Sequence, residues 1–239
     1  MKQIEFTERL KDLGLEIFTV ADAVRVSGGK KDSVYLFLSR LAGRRQIIRI
    51  EKGKYALKGV EPRIAATNLI FPSYISFISG LYHHGRSSQM PREIQVVTST
   101  TKRGIEYEGY AVRFVRFSPG RLFGYERRKD HRTPWFIGEL EKVIVDSLYL
   151  PRYCPVSECW SAMREGIDAE KLITYARRMA SLVTLKRACY LLEQMGRDVP
   201  EKIHEVISKK YDPLNPLLPR EGERDRHWRL IINEVLNDA

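Results

Sequence analysis

Between Phe18 and Leu57 the spacing of apolar and polar positions changes twice. Val20, Ala23 and Val24 repeat at helical spacing behind Thr19, a residue type that caps helix N-termini, and Ser27-Gly28-Gly29 then breaks the pattern with a tight turn. Beyond the turn Val34, Phe37, Leu38 and Leu41 fall at i, i+3, i+4 and i+7. That stripe lines one face of a second helix and leaves Asp32, Ser33, Leu36, Ser39 and Arg40 on the other. Past Gly43 the pattern becomes that of strands: Ile47-Ile48-Arg49-Ile50 and Tyr55-Ala56-Leu57 flank Glu51-Lys52-Gly53-Lys54, whose glycine suits a tight turn. Upstream, Phe6, Leu10 and Leu13 predict a helix over Glu5 to Leu13 that faces the other two.

A helix, a helix-turn-helix and a basic hairpin in that order outline a winged helix-turn-helix DNA-binding module over residues 1–60, with the hairpin as its wing. Lys58-Gly59-Val60-Glu61-Pro62 reads as a hinge, because glycine frees the backbone and proline discourages regular structure. Residues 61–239 are expected to form a larger mixed domain, sheet-containing over about 64–150 and helical over about 151–239. Ser73 is placed to cap a helix from Tyr74 to His84 that ends at Gly85. Glu93 to Thr98 and Tyr110 to Phe117, rich in β-formers, predict part of an antiparallel sheet, and Pro134 to Ile137 a further short strand. A helix from near Gly138 to Pro151 would bury Leu140, Val143, Ile144 and Leu148. Helices follow at Ser157 to Glu165, Asp168 to Met179, Leu182 to near Gly196 and Pro200 to Tyr211. Asp212 to His227 reads as a loop before a last element, Trp228 to Leu236. The fold class is therefore α+β.

Charge sharpens the picture. The chain of 239 residues carries 41 Lys and Arg against 30 Asp and Glu, a net +11 that favours a polyanionic or acidic partner. From Lys30 to Lys58 nine basic residues face only Asp32 and Glu51, and this concentration falls on the module that would dock a helix into the major groove. Ser33, Leu36, Ser39 and Arg40 are the candidates for base edges, and Lys30, Lys31, Arg44, Arg45, Lys52 and Lys54 for phosphates. No stretch approaches the roughly 20 apolar residues of a membrane span, and the charged start lacks a signal core. A cytoplasmic protein without a membrane partner is expected.

Candidate chemistry adds little. Glu139, Glu141 and Asp146 form the densest carboxylate group, and the first and last share a helix face, but the dipole at a helix N-terminus accounts for them without a metal. His83 and His84 diverge by about 100° on a helix and suit its C-terminus better than one shared ion. Gly28-Gly29-Lys30-Lys31 lacks the spacing of a phosphate loop. Cys154, Cys159 and Cys189 fit neither a zinc knuckle nor a redox dithiol. No catalytic, cofactor-binding or metal-ligating residue is assigned, and a non-enzyme is expected; a nuclease with an appended winged helix would rest on those carboxylates alone.

Longer segments carry a resemblance. Phe71-Pro72-Ser73-Tyr74-Ile75-Ser76, Leu81-Tyr82-His83-His84-Gly85, Gln89 to Thr98, Arg121-Leu122-Phe123-Gly124-Tyr125 and Gly138 to Asp146, with Pro151 soon after, follow one another in an order that resembles the AbiEi family of bacterial and archaeal antitoxins. The resemblance spans roughly Phe18 to Pro151, with an echo at Trp228 to Asn233. It implies a winged helix ahead of an antitoxin domain, repression of the protein's own operon through double-stranded DNA of its promoter, and opposition to a nucleotidyltransferase-like toxin, AbiEii. Self-association on a palindromic operator is compatible with it, as is a regulator with no toxin partner.

Overall fold

The computed structural model describes residues 3–236, so the outermost residues of the two expected domains, 1–2 and 237–239, lie outside the described residues. In chain order the elements are α1 (Gln3–Asp12), β1 (Ile17–Thr19), α2 (Val20–Ser27), α3 (Lys31–Gly43), β2 (Ile47–Glu51), β3 (Lys54–Leu57), α4 (Pro62–Asn68), β4 (Ser73–Ile75), α5 (Phe77–His83), β5 (Glu93–Thr98), β6 (Ile105–Tyr107), β7 (Tyr110–Arg116), β8 (Tyr125–Arg128), β9 (Trp135–Gly138), α6 (Leu140–Tyr149), α7 (Val156–Arg164), α8 (Ala169–Arg178), α9 (Leu182–Gln194), β10 (Asp212–Pro213), β11 (Glu223–Asp225) and β12 (Leu230–Ile232). The class is α+β. Packing gathers these elements into two units: Met1–Ile75, Arg92–Arg116 and Glu126–Ile137 form the first, and Ser76–Pro91, Phe117–Tyr125 and Gly138–Ala239 the second. The boundary expected near residue 60 thus falls inside the first unit.

In the first unit, α1, α2 and α3 pack with a three-stranded antiparallel sheet of order β1-β3-β2. Thr19 caps α2 in a reciprocal box with Asp22: its hydroxyl oxygen accepts from the Asp22 amide at 3.1 Å, and the Asp22 carboxylate accepts from the Thr19 amide at 2.8 Å. Gly28 ends α2 at φ 67°, a left-handed conformation that glycine adopts without steric cost. Phe6 meets Phe18 and Phe37 edge to face, with ring centroids 5.9 and 5.2 Å apart. Leu13, expected to face the other helices, is 62% exposed because α1 stops at Asp12.

The second sheet is six-stranded, of order β6-β7-β5-β4-β9-β8. Two expectations are corrected here. Glu93–Thr98 and Tyr110–Arg116 pair parallel, not antiparallel, because a strand the sequence did not suggest, β6, lies between them in the chain. It turns through Glu108 (φ 49°) and Gly109 (φ 80°), a two-residue hairpin of the kind that needs left-handed backbone, and so returns β7 alongside β5. Ser73 and Tyr74 belong to β4 rather than to a helix, and the Ser73 hydroxyl donates to the Thr67 carbonyl at 3.0 Å instead of capping. The sheet is accordingly mixed. One continuous apolar core joins Phe6, Phe18, Leu38 and Ala56 to Ile64, Val96, Val112 and Ile137.

The second unit is mainly helical. Asp168 and Ser181 cap α8 and α9, their side-chain oxygens accepting from the amides of Lys171 and Thr184 at 3.0 and 3.4 Å. A Cβ at Gly80 would lie 2.8 Å from a methyl of Val143, so α5 and α6 approach as closely as they do only because residue 80 is glycine. The helix expected from Pro200 to Tyr211 is reduced to a 3-10 stretch, Glu201–Val206. Beyond it the chain is drawn out around the buried Lys186, whose ammonium donates to the Ser208 hydroxyl, the Lys210 carbonyl and the Asp212 carboxylate at 3.0, 2.7 and 2.8 Å. The expected loop from Asp212 to His227 contains β10 and β11, which flank β12 in a small sheet of order β10-β12-β11. Among the described residues no helix is long and apolar enough to cross a membrane.

Candidate nucleic-acid interface

The outward face of α3 carries the residues singled out for base contact. Ser33, Leu36, Ser39 and Arg40 are all exposed, and Val34, Leu38 and Leu41 are buried behind them. Leu36 is 61% exposed and Tyr35 43%, so an apolar patch sits in the middle of an otherwise polar helix face. On a base edge such a leucine would meet the methyl group of thymine, while Arg40 has the fork that reads guanine.

Basic residues bracket that face. Lys30 and Lys31 stand exposed at the N-terminus of α3, where Lys30 occupies the cap position with no side-chain hydrogen bond to the first turn. Backbone N–H groups at such an end are left for solvent or an anion. At the other end, about 20 Å away by the rise of a helix of this length, Arg44 and Arg45 are exposed. They border a shallow groove together with Lys11 and Lys58. Among the described residues, Lys30, Lys31, Arg40, Arg44, Arg45 and Lys52 have no carboxylate within ion-pairing distance.

The hairpin of β2 and β3 separates two lysines that the sequence treated alike. Lys52 is exposed at the tip beside Gly53 (φ 78°). Lys54 is turned into the protein: its ammonium donates to the Leu69 carbonyl and lies 3.1 Å from the Glu51 carboxylate. Glu51 also pairs with Lys102. Burial opposes ionisation of Glu51, yet the hydrogen bonds and charges of Lys102 and Lys54 hold its carboxyl below the usual range. Nine of the ten predicted residues are thus exposed, and Lys54, half-buried, is engaged in anchoring the hairpin.

The carboxylates considered for chemistry are internally engaged. Glu139 accepts from the Tyr175 hydroxyl, and Glu139 and Glu141 each lie 3.2 Å from the Lys171 ammonium. Burial, then the bond to Glu139, pushes the Tyr175 hydroxyl up to about 12. Asp146 is fully buried, paired with Lys142 and accepting from the Ser76 hydroxyl at 2.8 Å. His84 bonds through its ring Nε2 to the Gly138 carbonyl at 2.7 Å. All three cysteines are buried with free thiols; a hydrogen bond to Cys154 and then burial raise Cys159, and burial pushes Cys189 up to about 12. Such thiols are poor nucleophiles at neutral pH.

One cluster left no trace in the sequence. Glu193, His204 and His227, far apart along the chain, bring ligand atoms within 4.8 Å of one another in the second unit. No short spacing motif links residues so separated, and only the fold assembles them.

No family model matches the chain, and no curated protein does. Among solved structures it is similar to the crystal structure of the RV2827C protein from Mycobacterium tuberculosis, at 15% sequence identity and a TM-score of 0.60, covering 95% of this chain and 90% of that one. At that identity the likeness concerns the fold alone.

Proposed function

We propose that this chain is a non-enzymatic, DNA-binding transcriptional repressor of the AbiEi antitoxin type, in which residues 1–60 act as a winged helix-turn-helix. The observation that carries the reading is the α3 surface: an exposed Ser33-Leu36-Ser39-Arg40 face, bracketed over about 20 Å by basic side chains without carboxylate partners, beside a hairpin tipped by Lys52. Arg40 and Leu36 discriminate bases, while Lys30, Lys31, Arg44, Arg45 and Lys52 neutralise phosphates and fix the register. The antitoxin half of the proposal rests on the ordered segments from Phe71 to Asp146, and a nucleotidyltransferase-like toxin encoded beside this chain is its expected counterpart.

The test is binding of the purified protein to the DNA upstream of its own gene and to a scrambled duplex of equal length, across a salt series. The expected result is tighter binding to the native duplex at every salt concentration, with an affinity that falls as salt rises. Equal, salt-sensitive binding to both duplexes would reduce the α3 surface to a generic basic patch and overturn the repressor reading.

A further inference from the structure

We propose that Glu193, His204 and His227 form a site for a divalent transition metal, best suited to Zn2+, that ties down the C-terminal segment of the chain. The proposal is independent of the DNA-binding reading. Each ligand comes from a different element of the second unit: Glu193 from the last turn of α9, His204 from the 3-10 stretch Glu201–Val206, and His227 from the turn joining β11 to β12. Two imidazoles and one carboxylate are a donor set that zinc takes readily, with a fourth position left to water.

The geometry is close to that of a closed set. Ligands around tetrahedral zinc, at bond lengths of about 2.1 Å, stand roughly 3.4 Å from one another. The Nε2 atom of His227 is already 3.3 Å from the Glu193 Oε1 oxygen. The widest separation in the triad is within 4.8 Å, which rotation of the histidine side chains closes to the spacing of a bound set. The rings of His204 and His227 lie with centroids 3.8 Å apart, closer than the roughly 5 Å of two imidazoles on one tetrahedral ion, so binding splays the exposed His227 ring away from His204, which is held by packing on the fully buried Trp228 at 4.3 Å.

The surroundings orient the ligands as those of a metal site do. Trp228 donates its indole N–H to the other oxygen of Glu193 at 2.5 Å, which fixes the carboxylate and leaves Oε1 towards the histidines. The Trp228 amide in turn donates to the Asp225 carboxylate at 2.6 Å, holding the turn that presents His227. His227 is more than half exposed, so water has access to the fourth position. Regular structure is sparse between the end of α9 and β12, apart from short strands and one 3-10 stretch, and an ion here would cross-link three stretches of that segment.

The experiment uses the full chain without an affinity tag, stripped with a chelator and titrated with Co2+ as a spectroscopic probe and then with Zn2+. The expected result is one equivalent of Co2+ with visible absorption of a four-coordinate nitrogen and oxygen site, displaced by Zn2+, and a melting temperature that rises when Zn2+ is added. His227→Ala and Glu193→Gln should each weaken metal binding by at least about 100-fold, more than the loss of an orienting group outside the ligand set. Both variants should fold, since His227 lies on an exposed turn and glutamine keeps an acceptor for the Trp228 indole. Absence of stoichiometric Co2+ or Zn2+ binding by the unaltered chain would overturn the proposal. So would undiminished affinity in either variant, and the triad would then be an ion pair beside packed rings.

Discussion

At the scale of single residues, Lys52 and Lys54 show how little residue type says about role. They flank one glycine in a hairpin, and both read as tip lysines in sequence. The fold gives the half-buried Lys54 a carbonyl and a carboxylate partner and leaves Lys52 to solvent. Their removal should therefore be felt in different measurements. Lys52→Ala should lower the slope of log affinity against log salt by about 0.9, the release of one counterion, with thermal stability unchanged. Lys54→Ala should leave that slope intact and cost about 1 kcal/mol of stability, the net worth of a partly buried hydrogen bond. A salt slope that drops in Lys54→Ala and not in Lys52→Ala would reverse the assignment. Leu36 follows the same logic: an exposed leucine is unremarkable alone, and it is its place at the centre of a polar helix face that makes it the apolar contact of the proposed DNA-binding surface.

At the scale of elements, α6 departs most instructively from its pattern. The apolar stripe Leu140, Val143, Ile144 and Leu148 describes a helix with one buried side, yet every residue from Glu141 to Leu148 is buried. The helix is surrounded within its unit by α5, α7, α8 and α9, and polar residues on its far side are taken inside with it. Lys142 and Asp146, one turn apart, meet this by pairing with each other, and the Lys142 ammonium also lies 4.6 and 5.3 Å from the rings of Phe123 and Phe117. Burial still pulls the Lys142 amine below its ordinary value, against the attraction of Asp146. Asp146→Ala should thus cost about 3–5 kcal/mol in denaturant unfolding, because it strands a buried cation, and adding Lys142→Met should recover most of the loss. If the double variant is no more stable than the single one, Asp146 acts mainly through Ser76. Helical spacing made α2, α3 and α7 to α9 legible to within a few residues, since each is capped or ended by residues with local chemistry. What stayed hidden was set by distant partners: the second buried face of α6, the strand β6, and the extended run after Val206 that serves Lys186.

At the scale of the molecule, the first sixty residues resemble a self-contained module in sequence but share a core in the fold. Val60, at the expected hinge, is buried, and the Tyr107 hydroxyl donates to its carbonyl at 3.0 Å. Thr133 is bonded three times to the segment after α1: its hydroxyl donates to the Gly14 carbonyl at 2.9 Å and accepts from the Glu16 amide at 3.2 Å, and its amide donates to the Glu16 carboxylate at 3.2 Å. Lys102 reaches Glu51 beside the tip of the hairpin. None of these ties was legible, because a hinge is inferred from glycine and proline in the chain, whereas the partners lie 40 to 120 residues downstream. An isolated fragment would lose the Tyr107 bond at Val60, the Thr133 bonds and the core residues from Ile64 onward that belong to the same cluster, and a domain of about 60 residues has little stability in reserve. Residues 1–60 expressed alone should therefore melt at a lower temperature than the intact chain, with a broader transition and binding of a hydrophobic dye, and should bind operator DNA more weakly even though every proposed contact residue is present. The comparison that decides this is calorimetry of the fragment and the full chain in one buffer. A fragment that melts as cooperatively as the whole, with equal operator affinity, would show the shared core to be dispensable. A weakened fragment would mean that the α3 surface depends for its shape on the sheet that follows it.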